Sequence, residues 1–184
     1  SRWPIGFAER GMSPLAERCL VWAQEGPPRL PPPYNDIYQI FQAPGYVVLF
    51  PELANNPVRI VPTNGQPHLP APVRQWSGHS IGRWDGDTLV VDTTNFTDQT
   101  SFQGSGDNLH LIERFTRVGP DLLQYQITVE DTTVWTQPWT MELALEALDN
   151  TENLIFESAC HEGNYSLTAM LAGARLDEAR EAGK

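Results

Sequence analysis

The chain has 184 residues, a length typical of one domain, and a single hydrophobic core is the economical interpretation. Twelve Lys and Arg residues stand against 23 Asp and Glu residues, giving a formal net charge of -11. The basic surface that binds nucleic acid is therefore missing. No apolar stretch approaches the roughly 20 residues that cross a bilayer, and no basic-then-apolar leader begins at Ser1. We expect a soluble protein with neither a nucleic-acid partner nor a membrane span.

Near the start of the chain, Ser13 and Pro14 are typical of a helix N-cap and a first helical position, and they predict a short helix over 15–22. This helix should end near Gly26, because the proline-rich stretch 27–33 cannot continue it and favours polyproline II. We expect the stretch to form an extended arm, and two roles are open for it. The arm could lie over the surface of its own domain as a spacer, or it could dock onto another chain.

From Asp36 onward, short β-rich runs alternate with turn residues, at the spacing typical of antiparallel barrels and sandwiches. The clearest joint is Asp85-Gly86, because a two-residue hairpin turn requires residues that tolerate positive φ. The sequence predicts a mainly β fold, an antiparallel β-barrel or sandwich of lipocalin-like size. The predicted strands span Ile37–Gln42, Tyr46–Phe50, Val58–Pro62, His79–Trp84, Thr88–Thr93, Leu109–Val118, Leu122–Asp131, Thr140–Ala147 and Asn153–Ala159.

We expect one domain overall, in three segments: 1–35 with the helix and arm, 36–160 with the β domain, and 161–184 with a loop and a terminal helix. The polar, turn-rich run 92–108 is long for a loop in a compact domain, and such loops are often functional. Apolar residues at helical spacing predict that the terminal helix docks at its start and is solvated at its end. These residues are Leu167, Met170, Leu171 and Ala174.

Two cysteines, Cys19 and Cys160, lie near opposite ends of the chain. A bridge between them would close a loop of roughly 140 residues and stabilise the fold by about 4 to 5 kcal/mol in the chain-entropy model. Two buried thiols are the alternative, because free Cys is among the most buried residue types. Six Trp and 16 Pro residues are more typical of an exported protein, but composition leaves both alternatives open.

The sequence lacks the usual patterns for metal or nucleotide chemistry. Its four histidines form no HExxH motif, and there is no CxxC. Cys160, His161 and Glu162 are adjacent, so on a strand they point to alternate faces and cannot all meet one ion without a local bulge. The run 78–82 has His79 where a nucleophile elbow has serine. No glycine-rich loop carries the lysine of a phosphate site. We predict no metal and no cofactor.

One ionisable residue is predicted to lie on an apolar strand face. In the run 109–117, Glu113 shares a face with Leu111 and Phe115, while His110 and Arg114 lie on the other. A carboxylate in an apolar row is either paired or raised in pKa. Candidate partners are Arg59, Arg74, Arg83 and Arg114.

Two interpretations of Glu113 follow from its predicted position. Glu113 belongs to a buried structural ion pair, or it acts as a general acid or base inside a barrel, with His79 as its partner in proton transfer. Aromatic side chains would then line a ligand pocket, although each can equally belong to the core. These are Trp76, Trp84, Tyr125, Trp135 and Trp139.

Two stretches, 76–93 (WSGHSIGRWDGDTLVVDT) and 160–165 (CHEGNY), resemble a large family of uncharacterised bacterial proteins that generally carry export signals. The resemblance covers about residues 15 to 180 and implies no reaction. It implies that Cys19 and Cys160 form a disulfide. Gln66 departs from the arginine expected there, so an anion-binding turn is not predicted. The family-type polar positions are His79, Glu113, Arg114, His161, Glu162 and Asn164.

Two hypotheses for function remain. The first is an exported ligand-binding or accessory β domain, periplasmic or extracellular, whose partner is a small molecule or another protein chain. The second is a cofactor-independent lyase, isomerase or hydrolase acting by acid/base chemistry on a small polar or sugar-like substrate, so enzyme activity stays open. Candidate catalytic residues are His79, Glu113 and His161. Candidate binding residues are Arg83, Arg114, Asn164, Trp84, Tyr125 and Trp139.

Overall fold

A computed structural model describes residues 19, 27–31, 37–52, 58–99, 102–149, 151, 155 and 159–183, with the side chain of Leu167 excepted. Within these ranges the chain forms eight strands and one helix. The strands are β1 (Tyr38–Ala43), β2 (Tyr46–Pro51), β3 (Arg59–Pro62), β4 (His79–Asp85), β5 (Thr88–Thr94), β6 (His110–Arg117), β7 (Leu122–Glu130) and β8 (Trp139–Glu146). The helix is α1 (Tyr165–Ala182).

The strands form two antiparallel sheets in which each strand pairs with its neighbours along the chain. One sheet has the order β1-β2-β3 and the other β4-β5-β6-β7-β8. The predicted hairpin joins β4 to β5, but Asp85 pairs with Thr88, so its two loop residues are Gly86 and Asp87, one position further along the chain. Gly86 has the positive φ of 59° that such a turn requires. The mainly β, antiparallel prediction is confirmed. Across the described strands, the two sheets do not close into one hydrogen-bonded barrel.

Both sheets contribute to one hydrophobic core. Strand β3 approaches β4 so closely that a Cβ atom on Gly82 would lie 2.9 Å from Val61 Cγ1 and 3.0 Å from Thr63 Cγ2. A side chain at this position would therefore displace its neighbours where the sheets meet. The buried apolar residues of the first sheet are Val47, Leu49 and Val61, and those of the second include Leu89, Val91, Leu111, Phe115, Tyr125, Ile127 and Val129.

The predicted strands agree with the structure to within one residue at each end for the first eight runs. The alternating pattern on β6, with Leu111, Glu113 and Phe115 buried, follows the predicted period of two. The ninth predicted strand, 153–159, and the predicted helix 15–22 lie outside the described residues, apart from single positions within them.

The described part of the proline-rich arm, 27–31, packs against its own domain. Pro27, Pro28 and Arg29 are buried. The Arg29 backbone N–H donates a hydrogen bond to Tyr125 Oη at 3.2 Å, and its guanidinium lies 4.6 Å from the ring centroid of Tyr38. This part of the arm therefore matches the spacer interpretation, because its buried residues are not free to meet another chain.

The C-terminal segment is tied back to the start of the chain. Cys19 and Cys160 form the disulfide that the family resemblance implied. The terminal helix is also confirmed, but its predicted apolar face is only partly correct. Met170 is half-buried, whereas Leu171 and Ala174 are exposed, and apolar residues as a whole are not segregated to one side of α1. No described helix is long and apolar enough to span a membrane.

Candidate functional site

Strands β4 to β7 carry polar side chains on both of their faces. Successive residues of a strand point to opposite sides of a sheet, so the pair Ser80 and Thr93 faces the core, and the pair His79 and Thr94 faces outward. Two clusters result. The core polar cluster comprises Tyr38, Arg59, Ser80, Thr93, Glu113 and Tyr125. The histidine cluster comprises His68, His79, Asp92, His110 and Glu130.

A buried ion pair is the centre of the core polar cluster. The Arg59 guanidinium donates to both carboxylate oxygens of Glu113, from Nη1 to Oε1 at 3.1 Å and from Nη2 to Oε2 at 2.5 Å. Glu113 is fully buried and Arg59 is 7% exposed. Arg59 Nη2 also contacts the hydroxyls of Ser80 and Thr93, at 3.0 and 3.1 Å. Of the four candidate partners for Glu113, Arg59 is the one that binds it.

Tyr125 completes the hydrogen bonding around Glu113. Its hydroxyl donates to Glu113 Oε1 at 2.8 Å and accepts the Arg29 backbone N–H. Burial, together with the neighbouring Glu113 charge, raises the pKa of Tyr125 well above its usual value, so it remains a phenol. Both Glu113 oxygens are thus occupied. In the described structure, Arg59 Nε and Ser77 Oγ are the buried side-chain atoms that lack a partner.

The histidine cluster is a chain of hydrogen-bonded rings and carboxylates on the outer face. His79 Nδ1 lies 3.2 Å from His68 Nδ1, and His68 Nε2 lies 3.1 Å from Asp92 Oδ1. The same oxygen is 3.0 Å from His110 Nε2, and His110 Nδ1 is 3.0 Å from Glu130 Oε2. Four contacts therefore link five ionisable side chains in the order His79, His68, Asp92, His110 and Glu130.

Strand pairing positions four of these five residues. His79, Asp92, His110 and Glu130 lie on β4, β5, β6 and β7, which are neighbours in the sheet. His110 and Glu130 are direct cross-strand partners, and directly opposed side chains lie within contact distance. His68 instead belongs to the loop between β3 and β4 and reaches over Asp92. The cluster therefore depends on sheet register for four members and on loop placement for one.

The carboxylates set the charge of His110. Its hydrogen bond to Asp92, with a second one to Glu130, raises the His110 pKa above its usual value. The same His110 hydrogen bond lowers the Asp92 pKa. Both ring nitrogens of His110 face carboxylate oxygens, which only accept, so the imidazolium form satisfies the geometry. This end of the hydrogen-bond chain therefore favours the protonated ring.

The His79 end of the hydrogen-bond chain has the opposite pKa shift. Partial burial, and then the neighbouring His68, lowers the pKa of His79. Its Nε2 atom has no hydrogen-bond partner among the described residues and is not one of their buried unpaired atoms, so at least part of its surface reaches solvent. His79 therefore presents a neutral imidazole at the accessible end of the chain.

Two proton arrangements satisfy the contacts between His68 and His79. In the first, His79 Nδ1–H donates to His68 Nδ1, His68 Nε2–H donates to Asp92, and His79 Nε2 has a free lone pair, but the Leu69 backbone N–H, 3.4 Å from His79 Nδ1, then lacks this acceptor. In the second, a His68 imidazolium donates at both nitrogens, and His79 Nδ1 also accepts the backbone N–H of Leu69 at 3.4 Å. The two arrangements differ by one proton taken up at His79 Nε2.

The three predicted catalytic residues do not meet. His79 and Glu113 lie on opposite faces of the five-stranded sheet, and His161 is exposed in the turn before α1. A shared proton-transfer site of these three is therefore not formed. The three residues lie in separate parts of the molecule. A catalytic role for His79 without the other two remains a prediction.

The predicted binding residues are also spread over the molecule. Arg114 pairs with the exposed Asp85 at 2.8 Å on the outer face, and Arg83 is exposed beside it. Trp84 is 48% exposed at the same hairpin. The remaining three lie elsewhere. Tyr125 is in the core polar cluster, Trp139 packs against Phe102 and Trp135, and the Asn164 amide approaches Cys19 Sγ at 3.4 Å.

Four residues of the histidine cluster were not predicted as site residues: His68, Asp92, His110 and Glu130. The sequence placed His110 on the face opposite Glu113 but gave no reason to join it to Asp92, because that contact depends on strand register. His68 lies in a proline-rich loop with no periodic pattern. In the described ranges, no group of three or more His, Cys, Asp and Glu residues is arranged to hold a metal ion.

Comparison with known proteins adds no relative. No protein-family model, curated protein or solved structure matches this chain.

Proposed function

We propose that the protein is an exported ligand-binding β domain and that the histidine cluster contacts its ligand. The observation that supports this proposal is the ordered hydrogen-bond chain that ends at the solvent-facing Nε2 of His79. Each ring is held in place by its neighbour, so an exposed nitrogen is presented in a fixed orientation. The Cys19–Cys160 disulfide supports an oxidising compartment.

The core polar cluster is a weaker candidate for ligand binding. Both oxygens of its carboxylate, Glu113, accept hydrogen bonds from Arg59 or Tyr125, and the Arg29 backbone N–H of the arm donates to the Tyr125 hydroxyl. A ligand would have to displace buried hydrogen bonds, and leaving one such group unpaired costs about 1 to 3 kcal/mol. A ligand at the histidine cluster would not have to displace buried hydrogen bonds.

The unused hydrogen-bonding capacity of the histidine cluster indicates the ligand chemistry. Asp92 and Glu130 each engage one oxygen in the chain and are 32% and 39% exposed. Their second oxygens have no described partner, and a carboxylate oxygen accepts hydrogen bonds. In the first proton arrangement His79 Nε2 also accepts. The ligand is therefore a donor, a small molecule carrying hydroxyl or ammonium groups.

Acid/base catalysis at the same site is the second candidate, and the two proton arrangements favour it. His79 Nε2 takes a proton from the substrate or from a water molecule, and the Nδ1 proton of His79 passes to His68 Nδ1. The positive charge then lies on His68, beside the Asp92 carboxylate at 3.1 Å. Because the His79 pKa is lowered, the ring is neutral and able to act as a base at neutral pH.

The binding proposal is tested with ligand-observed NMR on separate panels of monosaccharides, aliphatic amines and carboxylates. We expect binding from a hydroxyl or amine panel, and at least a tenfold loss of affinity in His79→Ala, because its free nitrogen is removed. His161→Ala is the matched control, since His161 is exposed outside the cluster. Binding confined to carboxylates, or unchanged affinity in His79→Ala, would contradict the proposal.

The catalytic candidate is tested with p-nitrophenyl acetate as a probe ester. We expect hydrolysis above the buffer rate that rises with pH to a plateau, with its midpoint below the ordinary histidine pKa of about 6.5. His79→Gln should abolish this rate, and His161→Gln should retain it. Equal rates in the two variants would show that exposed imidazoles act independently of the hydrogen-bond chain.

A further inference from the structure

We infer that Asn95 is the positioning residue of the histidine cluster: it fixes the 64–74 loop so that His68 reaches both His79 and Asp92. This inference rests on the proposed function for its biological meaning, but not for its geometry. His68 is the one cluster member outside a strand, and the described loop contains neither strand nor helix. Something other than sheet pairing must therefore hold His68.

The side-chain amide of Asn95 provides that hold. Its Nδ2 atom lies 3.2 Å from the carbonyl oxygens of Leu69 and Pro70, and 3.0 Å from that of Val73. The backbone carbonyl of Asn95 also accepts the Gln75 N–H at 2.9 Å. Asn95 is thus hydrogen-bonded to the loop at several points between Leu69, just after His68, and the end of the loop.

Asparagine meets both the steric and the hydrogen-bonding requirements at this position. Asn95 has φ 60°, in the left-handed region that asparagine tolerates better than most residues. It is 7% exposed, and its Oδ1 accepts the Thr94 hydroxyl at 2.7 Å. Aspartate would turn an acceptor toward three carbonyl oxygens. Glycine would keep the backbone conformation and lose the three side-chain contacts.

The loop position controls the surroundings of His79. The His68 ring and the Leu69 N–H both approach His79 Nδ1, at 3.2 and 3.4 Å. Releasing Leu69 and Pro70 from Asn95 moves both groups away together. The contacts of His110 with Asp92 and Glu130 lie on strands and do not depend on the loop. Loss of the Asn95 side chain should therefore change His79 and spare His110.

The test is histidine titration by NMR in Asn95→Gly, with Asn64→Gly as the matched control. Asn64 lies in the same loop, but its Oδ1 accepts the exposed backbone N–H of Gln66 two residues away. In Asn95→Gly we expect the His79 pKa to rise toward the usual value of about 6.5, while His110 keeps its raised pKa. Asn64→Gly should change neither. An unaltered His79 titration in folded Asn95→Gly would overturn the inference.

A measurement on the unsubstituted protein covers the case in which Asn95→Gly does not fold. The Asn95 side-chain amide protons should exchange slowly with water and show nuclear Overhauser contacts to Leu69 and Val73. Fast exchange without those contacts would overturn the inference. The proposed function fails separately. If no panel binds the unsubstituted protein while the His79 pKa moves in Asn95→Gly, positioning stands and ligand binding does not.

Discussion

The two polar clusters lie on opposite faces of the same strands, and they differ in how their charges are satisfied. In the core polar cluster, Glu113 uses both oxygens on Arg59 and Tyr125 in the absence of solvent. In the histidine cluster, Asp92 binds two rings with one oxygen and stays partly exposed. Buried charges must be paired to be tolerated. The core polar cluster therefore has both carboxylate oxygens of Glu113 engaged by the protein itself, while the histidine cluster keeps carboxylate oxygens without a described partner.

The largest expected change in the free energy of unfolding comes from breaking the buried ion pair. Glu113→Gln leaves the Arg59 charge without a partner in the core, and breaking a buried pair costs about 3 to 5 kcal/mol. Urea unfolding measures this loss as a lower transition midpoint. The matched change Glu130→Gln, in the partly exposed histidine cluster, should cost less than about 1 kcal/mol. Similar losses in the two variants would remove the distinction between the clusters.

Replacing both partners of the buried pair sharpens this result. Arg59→Met combined with Glu113→Leu removes both charges, and apolar replacements of buried pairs are often close to neutral. We expect the double variant to be more stable than either single variant, although Tyr125 loses its acceptor. A double variant as unstable as the sum of the single variants would show that the pair contributes through something other than mutual charge compensation.

A smaller loss is expected from the tyrosine that completes the pair. Tyr125→Phe removes one donor to Glu113 and leaves the buried Arg29 N–H without its acceptor, at a cost of about 1 to 3 kcal/mol. Tyr46→Phe is the control, because Tyr46 is an exposed tyrosine on the other sheet. Thermal or urea unfolding of both variants checks the difference. Equal stability would show that the arm and Tyr125 do not support the ion pair.

The histidine variants should differ in the pH dependence of their stability. Because the His110 pKa is raised in the folded state, its contribution is complete below the unfolded pKa of about 6.5 and is lost as pH rises through the folded pKa. The His79 pKa is lowered, so its contribution is present above about 6.5 and is lost as pH falls through the folded pKa.

These opposite signs give a direct experiment. His110→Gln should destabilise the protein more at pH 5.5 than at pH 8, and His79→Gln should do the reverse; both pH values are chosen roughly a unit or more from the ordinary histidine pKa. Urea unfolding of both variants and of the unsubstituted protein, at each pH, provides the comparison. The same pH trend in both variants would mean that the two ends of the hydrogen-bond chain do not hold different protonation states.

Local sequence pattern predicted the faces of the strands but not the contacts across them. The period of two on β6 placed Glu113 in the core and His110 outside. Nothing local could choose Arg59 among the four candidate arginines, because β3 belongs to the other sheet. The histidine cluster needs the register of four strands together with a loop conformation held by Asn95. Such long-range geometry has no signature in residue spacing.

The smallest expected effect tests whether the histidine cluster is a chain of local contacts or one coupled unit. Glu130→Gln removes one of the carboxylates that raise the His110 pKa, so that pKa should fall while Asp92 still supports it. His79 is four contacts away from Glu130 along the hydrogen-bond chain, and interactions between partly exposed charges are weakened by solvent and salt. We expect the His79 titration by NMR to be unchanged. A shift at His79 comparable to that at His110 would show that a proton at one end alters the other, and that ligand binding at His79 depends on all five residues.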